Sequence, residues 1–374
     1  MFPVITVSGG AYERGRQYGV HARDRVHRSI TAYAELFEYF AGWDWPRSTA
    51  EAERFLPAIK DFGAKYVDEL AGIADGADVA LTDILAINVR TEIMFSARVR
   101  TAMAQAAPAE CSAFASVASN GHVVAGQNWD WAPFALDTVV VLQAVPDDGP
   151  AFITVVEAGL LAKFGANSDG LAVMTNALGC TEDQGDAAVP YHVMLRALLD
   201  CGTTQEAVAC LEQAPRASSA NYLLADRTGS MVNVEARPGG QSTLHQLARD
   251  DNGVLLHTNH FISPDFDAVD YTELVATTSQ FRLRRLAETV AEADHPGDLA
   301  MFAAALSDHN NEPDSVCRHP DSTLPAPEQS MTVASALIDL TDRHVSLSEG
   351  PPCQRGYEEV DCSLLGQAER ALPR

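Results

Sequence analysis

The sequence predicts an α+β protein, an αββα sandwich in which two antiparallel sheets pack together between helical layers. Three observations carry this. Before residue 110 apolar residues recur at three- and four-residue spacing, the helical period; from Ser112 the spacing changes to two, the strand period; and two blocks of strand pattern are separated by short helical patterns. The 374 residues, 47% of them apolar, are enough for one large core.

The elements follow in order. PVITV reads as a short strand; RVHRSITAYAELFEYFAG, the stretch from about Ala50 to Ala74, and LTDILAINVRTEIMF read as helices. Strands are expected at 112–118, 122–128, 138–144, 151–157 and 171–177, divided by the turn signals SNG, PDDG and NSDG. Helices return at YHVMLRALLD and TTQEAVACLEQA, where Thr203 or Thr204 can cap and Glu206 lies in the first turn. Strands NYLLAD, GSMVNVEAR, STLHQLA and GVLLHTN, helices over about 273–293 and 297–306, and strands TVASALIDL and HVSLSEG complete the chain. Residues 309–330 form the longest polar loop, and their Arg and His content suits a functional loop.

Composition narrows the function. A formal charge of −25, from 26 basic and 51 acidic residues, argues against nucleic acid and disfavours anionic partners generally. The N-terminus lacks the basic start of a signal peptide, and no apolar run reaches membrane-spanning length. Seven cysteines without CxxC pairs suggest neither a disulfide framework nor a zinc site, so a reducing cytoplasm, no metal and no cofactor are expected.

The segment ECSAFASVASNGHVVAGQNWDW, residues 110–131, carries the chemistry. Asn120-Gly121 is the strongest turn signal in the chain, since both central positions of a two-residue hairpin loop need positive φ. An unbulged hairpin closed by that loop sets Cys111 opposite Asp130; a bulge, for which Gly126 is a candidate place, would shift the pairing by one. A cysteine at a strand start is ordinarily a small core residue. Here Ser112 follows it, an acid is brought near it, and about 110 helical residues precede it, so a backbone cut before Cys111 would leave two sizeable pieces. In HTNHF, His257 and His260 lie three apart and point to opposite faces of a strand, so they chelate a metal only if the segment bends.

Several pieces together, GGAYERGRQYG, GQNWDW, GLAVMTNAL, HTNHF, TSQFRLRRL and LSDHNNEPDSVCRHP, run in order from about residue 9 to residue 320. In them the chain resembles the isopenicillin-N acyltransferase family of autoproteolytic N-terminal-nucleophile hydrolases, which also includes β-alanyl-amine hydrolases. The resemblance implies the fold of those hydrolases, a proenzyme that cuts its own Glu110–Cys111 bond, and two fragments, a mainly helical 1–110 and a catalytic 111–374, that remain associated as one globular unit. It implies Cys111 as nucleophile, Asp130 as the group that orients the thiol or its amine, Asn259 in the oxyanion hole, and Arg318 as an active-site cation that steadies the Asp130 carboxylate or the polarised amine. Asn176 would line the substrate pocket or add a hydrogen bond. Ser279, Arg282 and Arg285 match a family helix, although at that spacing they form a solvated face or a packing contact as readily. One position departs from the pattern: the fungal acyltransferases carry glycine before the nucleophile, and this chain carries Glu110. Slower maturation or a carboxylate that takes part in it are the two consequences to expect.

The expected function is a cysteine amidohydrolase that cleaves an N-acyl small molecule through a thioester, with neutral or cationic substrates suiting the acidic chain. An acyl-coenzyme A-dependent N-acyltransferase is the alternative. A papain-like pair of Cys111 with His257 or His309, and an uncut binding protein, are the further readings.

Overall fold

The computed structural model describes residues 1–101, 110–247, 253–271, 278–295 and 297–370. The expected helix over about 273–293 and the end of the strand STLHQLA extend partly outside the described residues.

Strand β1 (Val4–Gly9) leads into helix α1 (Ala11–Ala41). This helix begins well before the predicted Arg25, because Gly15 and Gly19 interrupt the apolar pattern. Their role is close packing: a Cβ on Gly15 would stand 2.1 Å from the Glu69 carbonyl oxygen, and one on Gly72 would stand 2.1 Å from that of Tyr12. The low helix propensity of glycine is outweighed by a contact that only glycine permits. Helices α2 (Trp45–Glu53), α3 (Leu56–Phe62), α4 (Ala64–Ala77), α5 (Leu81–Asn88) and α6 (Arg90–Thr101) complete the N-terminal part.

Strands β2 (Glu110–Val117), β3 (Val123–Trp131), β4 (Val139–Pro146), β5 (Phe152–Glu157), β6 (Phe164–Asn167) and β7 (Leu171–Ala177) follow. Strand β6 escapes the sequence pattern because it has four residues and contains a glycine. Helix α7 (Tyr191–Leu198) precedes α8 (Thr204–Gln213), which Thr203 caps by accepting from the Glu206 N–H at 3.2 Å. Strands β8 (Ala220–Asp226), β9 (Met231–Ala236), β10 (Leu244–Leu247) and β11 (Val254–His257) lead to helices α9 (Thr278–Glu292) and α10 (Leu299–Leu306). Strands β12 (Met331–Asp339) and β13 (His344–Glu349), the short helix α11 (Pro352–Arg355) and strand β14 (Glu358–Val360) close the order.

Two sheets result, of eight strands in the order β1-β4-β5-β6-β7-β8-β9-β10 and of six in the order β11-β2-β3-β12-β13-β14. They pack face to face with helices outside, the αββα arrangement; β1 with β4 is the parallel pair, and the other strand pairings of the two sheets are antiparallel. The inner faces share the main core, which also takes Phe2, Val7, Tyr18 and Phe37 from the N-terminal part. Behind the six-stranded sheet a second core joins Phe114 and Val124 to Leu286, Val290 and Phe302 of α9 and α10. No helix among the described residues is long and apolar enough to cross a membrane.

The β2–β3 hairpin corrects the predicted register. Ala118 and His122 close the loop, with Ala118 N–H donating to the His122 carbonyl at 2.8 Å and Gly121 N–H donating to the Ala118 carbonyl at 2.8 Å. The loop therefore holds three residues, Ser119, Asn120 and Gly121, and Gly121 at φ 85° takes the left-handed last position. That extra residue moves the ladder by one, so Glu110 pairs with Asp130 and Cys111 pairs with Trp129. The β2–β3 register runs through Gly126 without a bulge. Its missing Cβ instead makes room for the Phe114 ring and the Ala336 carbonyl, which would stand 2.7 Å and 2.2 Å from it.

Candidate active site

Register decides which side of the sheet each group faces. Directly paired residues share a face and neighbours alternate. Cys111 and Trp129 therefore face inward, between the sheets, while Glu110 and Asp130 face outward, toward α9 and the loop after α10. Cys111 and Asp130 lie on adjacent strands, as expected, and the Asp130 backbone lines the Cys111 pocket and hydrogen-bonds the thiol, but the Asp130 carboxylate faces the other side of the sheet.

On the inner face, Cys111 opens into a narrow pocket lined also by Arg90, Met94, Trp129, Lys163 and Tyr191. Burial pushes its thiol up to about 11, with the Lys163 ammonium acting in the other direction. Lys163 is itself 4% exposed, and burial lowers its amine to about 8. Its Nζ lies 5.0 Å from the centre of the Trp129 ring and 5.6 Å from that of Tyr191. Arg90 is neutralised: it contacts Glu157 at 2.9 Å, donates through Nε to His192 at 3.2 Å and stacks over Trp131 at 4.4 Å. Lys163 has no carboxylate partner among the described residues. Nothing in the one-dimensional pattern marks it, since a lysine between Ala162 and Phe164 at the head of a short strand reads as a strand flank.

On the outer face stands a network of charges. Arg318 contacts the Glu110 carboxylate at 2.8 Å and Arg282 contacts it at 3.2 Å, while Thr278 Oγ1 donates to it at 3.0 Å. Burial alone would raise this carboxyl, but the two guanidinium groups outweigh it and hold the group below the usual glutamate range. Arg318 thus meets Glu110 and Asp314 directly, the latter at 2.6 Å. Asp130 accepts from Thr332 Oγ1 at 2.7 Å, and its other oxygen has no hydrogen-bond partner among the described residues. Burial lifts Asp130 to about 6 against the opposing pull of Arg282 and Arg318. The irregularity in β12 between Thr332 and Ala334 lies opposite this carboxylate and aims Thr332 at it.

Asn259 and Arg282 clamp the backbone of Cys111. The Cys111 N–H donates to Asn259 Oδ1 at 2.7 Å, Arg282 Nη2 donates to the same oxygen at 2.9 Å, and Arg282 Nη1 donates to the Cys111 carbonyl at 2.7 Å. Two donors on Oδ1 fix the amide orientation, and Nδ2 donates to the Ala177 carbonyl at 3.0 Å with a second hydrogen remaining. Ser279 Oγ accepts from the Asn259 N–H at 2.7 Å and bonds His260 Nδ1 at 2.7 Å. His257 is held separately by Glu235 at 2.8 Å. The two histidines of HTNHF thus have separate partners.

Arg282, fully buried, is the cation that the sequence left between site and solvated face; Thr278, Ser279 and Arg282 occupy one side of α9, turned to the start of β2. Arg285 faces outward, bonded to Asp308 at 3.0 Å. Asn176 is buried in an amide network, donating to the His257 carbonyl at 3.3 Å and accepting from Asn221 at 3.1 Å, and does not line the Cys111 pocket. Two of the seven cysteines, far apart along the sequence, meet in space: Cys317 and Cys353 converge with His309 and His319.

The family described as acyl-coenzyme A:6-aminopenicillanic acid acyl-transferase matches residues 117–354, and the chain belongs to that family. It is 25% identical over 346 residues, 91% of this chain and 89% of the relative, to the 40 kDa form of acyl-coenzyme A:6-aminopenicillanic-acid-acyltransferase from Emericella nidulans. Among solved structures it is similar to a mutant of conjugated bile acid hydrolase from Clostridium perfringens, with a TM-score of 0.48, 14% identity and coverage of 68% of this chain and 94% of that one. Penicillin V acylase from Agrobacterium tumefaciens gives a TM-score of 0.43 at 17% identity, over 69% and 88% of the two chains.

Proposed function

We propose that the chain is the precursor of a cysteine amidohydrolase that becomes active by cutting its own Glu110–Cys111 bond. The observation that carries this reading is the clamp on Cys111: its amide nitrogen is held by Asn259 while its thiol opens into a pocket.

In self-cleavage the Cys111 sulfur attacks the Glu110 carbonyl carbon, the C–N bond breaks, and the nitrogen takes up a proton to become the free α-amine. Water then hydrolyses the thioester to the Glu110 carboxylate and the thiol. In turnover the α-amine, whose class titrates at about 7.7 to 8.0, takes the thiol proton as sulfur attacks the substrate carbonyl, and returns it to the leaving amine. Water resolves the resulting thioester. Asn259 Oδ1 would accept from that amine as it accepts from the amide, and the second Nδ2 hydrogen is available to the oxyanion. Departure of Glu110 would release Arg318 and Arg282 toward Asp130. The fragments 1–110 and 111–374 would remain together, because β1 is a strand of the eight-stranded sheet and α1 contributes to the main core.

A second reading, transfer of the acyl group to an amine rather than to water, is favoured by Lys163. A buried cation without a carboxylate partner among the described residues offers the local positive charge that an anionic acyl donor needs, so the net charge of −25 does not exclude one. A papain-like pair has less support, since His257 is bound to Glu235 and His309 to His319. Intact mass and denaturing electrophoresis test the proposal: wild type separates into fragments 1–110 and 111–374, and Cys111→Ala stays whole. An active wild type of undivided mass would remove the α-amine from the mechanism and leave the uncut readings.

A further inference from the structure

The loop that carries Arg318 brings together four side chains with metal-binding atoms. His309, Cys317, His319 and Cys353 each offer one, and all four atoms lie within 4.8 Å of one another. The sulfurs of Cys317 and Cys353 are 3.6 Å apart, and the Nε2 atoms of His309 and His319 are 3.1 Å apart. His319 Nε2 stands 3.3 Å from Cys353 Sγ and 4.0 Å from Cys317 Sγ.

These are four of the six edges of a tetrahedron, and the two from His309 to the sulfurs lie within 4.8 Å. Zinc binds thiolate at about 2.3 Å and imidazole at about 2.0 to 2.1 Å, so tetrahedral geometry sets sulfur–sulfur edges near about 3.8 Å, nitrogen–nitrogen edges near about 3.3 Å and mixed edges near about 3.5 Å. Each of the four distances agrees to within about half an ångström. The sulfurs are too far apart for a disulfide, whose bond is about 2.05 Å. Two thiolates and two imidazoles suit zinc among the common divalent ions, and the soft pair of sulfurs disfavours magnesium and calcium.

The surroundings agree. Cys317 is fully buried while Cys353 is exposed, so the cluster has both a protein wall and a route from solvent. The side-chain amide of Gln354 lies 3.3 Å from His319 Nδ1. With its oxygen turned to the ring, that amide accepts the Nδ1 proton and leaves Nε2 as the free lone pair.

We propose that His309, Cys317, His319 and Cys353 form a structural zinc site that ties the loop bearing Arg318 to helix α11. Zinc enters as the divalent ion, both thiols give up their protons to solvent, and nothing is oxidised or reduced. Arg318 lies between two of the ligands in sequence. With Cys317 and His319 fixed, its backbone is fixed on both sides and its guanidinium is held toward Glu110. The site is independent of whether the chain cuts itself, and its test needs no substrate.

The tag-free full-length chain, produced with zinc in the medium and dialysed against metal-free buffer, is assayed by elemental mass spectrometry and by thiol titration in denaturant with chelator. Close to one zinc per chain and all seven thiols are expected. Cys353→Ser, at an exposed position, and separately His309→Gln lower the retained zinc at least about tenfold while circular dichroism shows a folded chain. Cobalt in place of zinc gives thiolate charge-transfer absorption and intense tetrahedral visible bands, both weakened in Cys353→Ser. Wild type that retains no more zinc than Cys353→Ser overturns the proposal. Five titratable thiols with a Cys317–Cys353 disulfide in the peptide map overturn it as well.

Discussion

Arg318 Nη1 stands 2.8 Å from Glu110 Oε2, so a candidate active-site cation is bound to the residue just before the proposed nucleophile, Cys111. Arg282 shares the same carboxylate at 3.2 Å. The glutamate that departs from the family's fungal pattern is therefore part of the charge network of the uncut chain.

Glu110→Gln should leave two buried guanidinium groups without their shared anion. Removing one partner of a buried ion pair costs about 3 to 5 kcal/mol, so in the uncut Cys111→Ala background the melting temperature falls. The Glu110 carboxyl is depressed in the folded chain. Its stabilisation is thus complete above the unfolded value of about 4.3 and is lost as pH falls through the lower folded value. Melting curves of the two uncut chains should converge on acidification, and curves that stay parallel would assign the ion pair no stability.

Lys163 should govern how the site treats anions. Its amine, lowered by burial to about 8, is charged below that pH and neutral above it. For an acyl amide bearing a carboxylate, KM should rise as pH passes through about 8, and should change far less for the uncharged analogue. Lys163→Met should raise KM for the anionic member about tenfold at neutral pH, since one charge-assisted contact is worth about 1.5 kcal/mol or more, and should flatten the profile. Equal KM values for the two substrates would leave Lys163 without a recognition role.

Asn259→Ala removes the acceptor of the Cys111 nitrogen together with the spare Nδ2 donor. Loss of an oxyanion donor costs about a hundredfold in turnover, and self-cleavage should slow with it. Turnover must therefore be expressed per cut molecule, on an activated ester. A hundredfold fall is the expected outcome, with a lower melting temperature because Arg282 and the Ala177 carbonyl lose a buried partner, and unchanged turnover would exclude the assignment.

Gly126→Ala tests the hairpin packing apart from chemistry. The new Cβ would stand 2.2 Å from the Ala336 carbonyl oxygen and 2.7 Å from the Phe114 ring. Overpacking of this kind costs about 1 to 3 kcal/mol, read as a lower melting temperature. An unchanged melting temperature would mean that the β3–β12 spacing yields without strain.

Much of the molecule was legible along the chain, because periodicity and turn residues act locally. The change from helical to strand spacing at Ser112, the Asn120-Gly121 turn and the Thr203 cap all depend on neighbours within a few residues. The same locality explains α1: its early glycines weaken the helix signal, and their compensation is a contact with α4, an element distant along the chain. The Asn-Gly pair marked a turn correctly, but Ser119 added a third loop residue, and one residue is enough to exchange the faces of a strand.

The sequence by itself determined the αββα architecture, the placement of Cys111 at the head of a strand and the set of polar residues from which a site could be built. The tertiary structure decided which of them meet. It turned Cys111 inward beside Lys163 and Asp130 outward beside Thr332, chose Arg282 over Arg285 through the rotation of α9, and gathered His309, Cys317, His319 and Cys353 from a long loop and a short helix. The reason is physical. Local patterns fix the dihedral state of each segment, whereas the approach of two side chains is fixed by the register and rotation of elements packed against one another. No spacing rule covers partners far apart along the chain, as Cys317 is from Cys353 and Arg282 from Cys111.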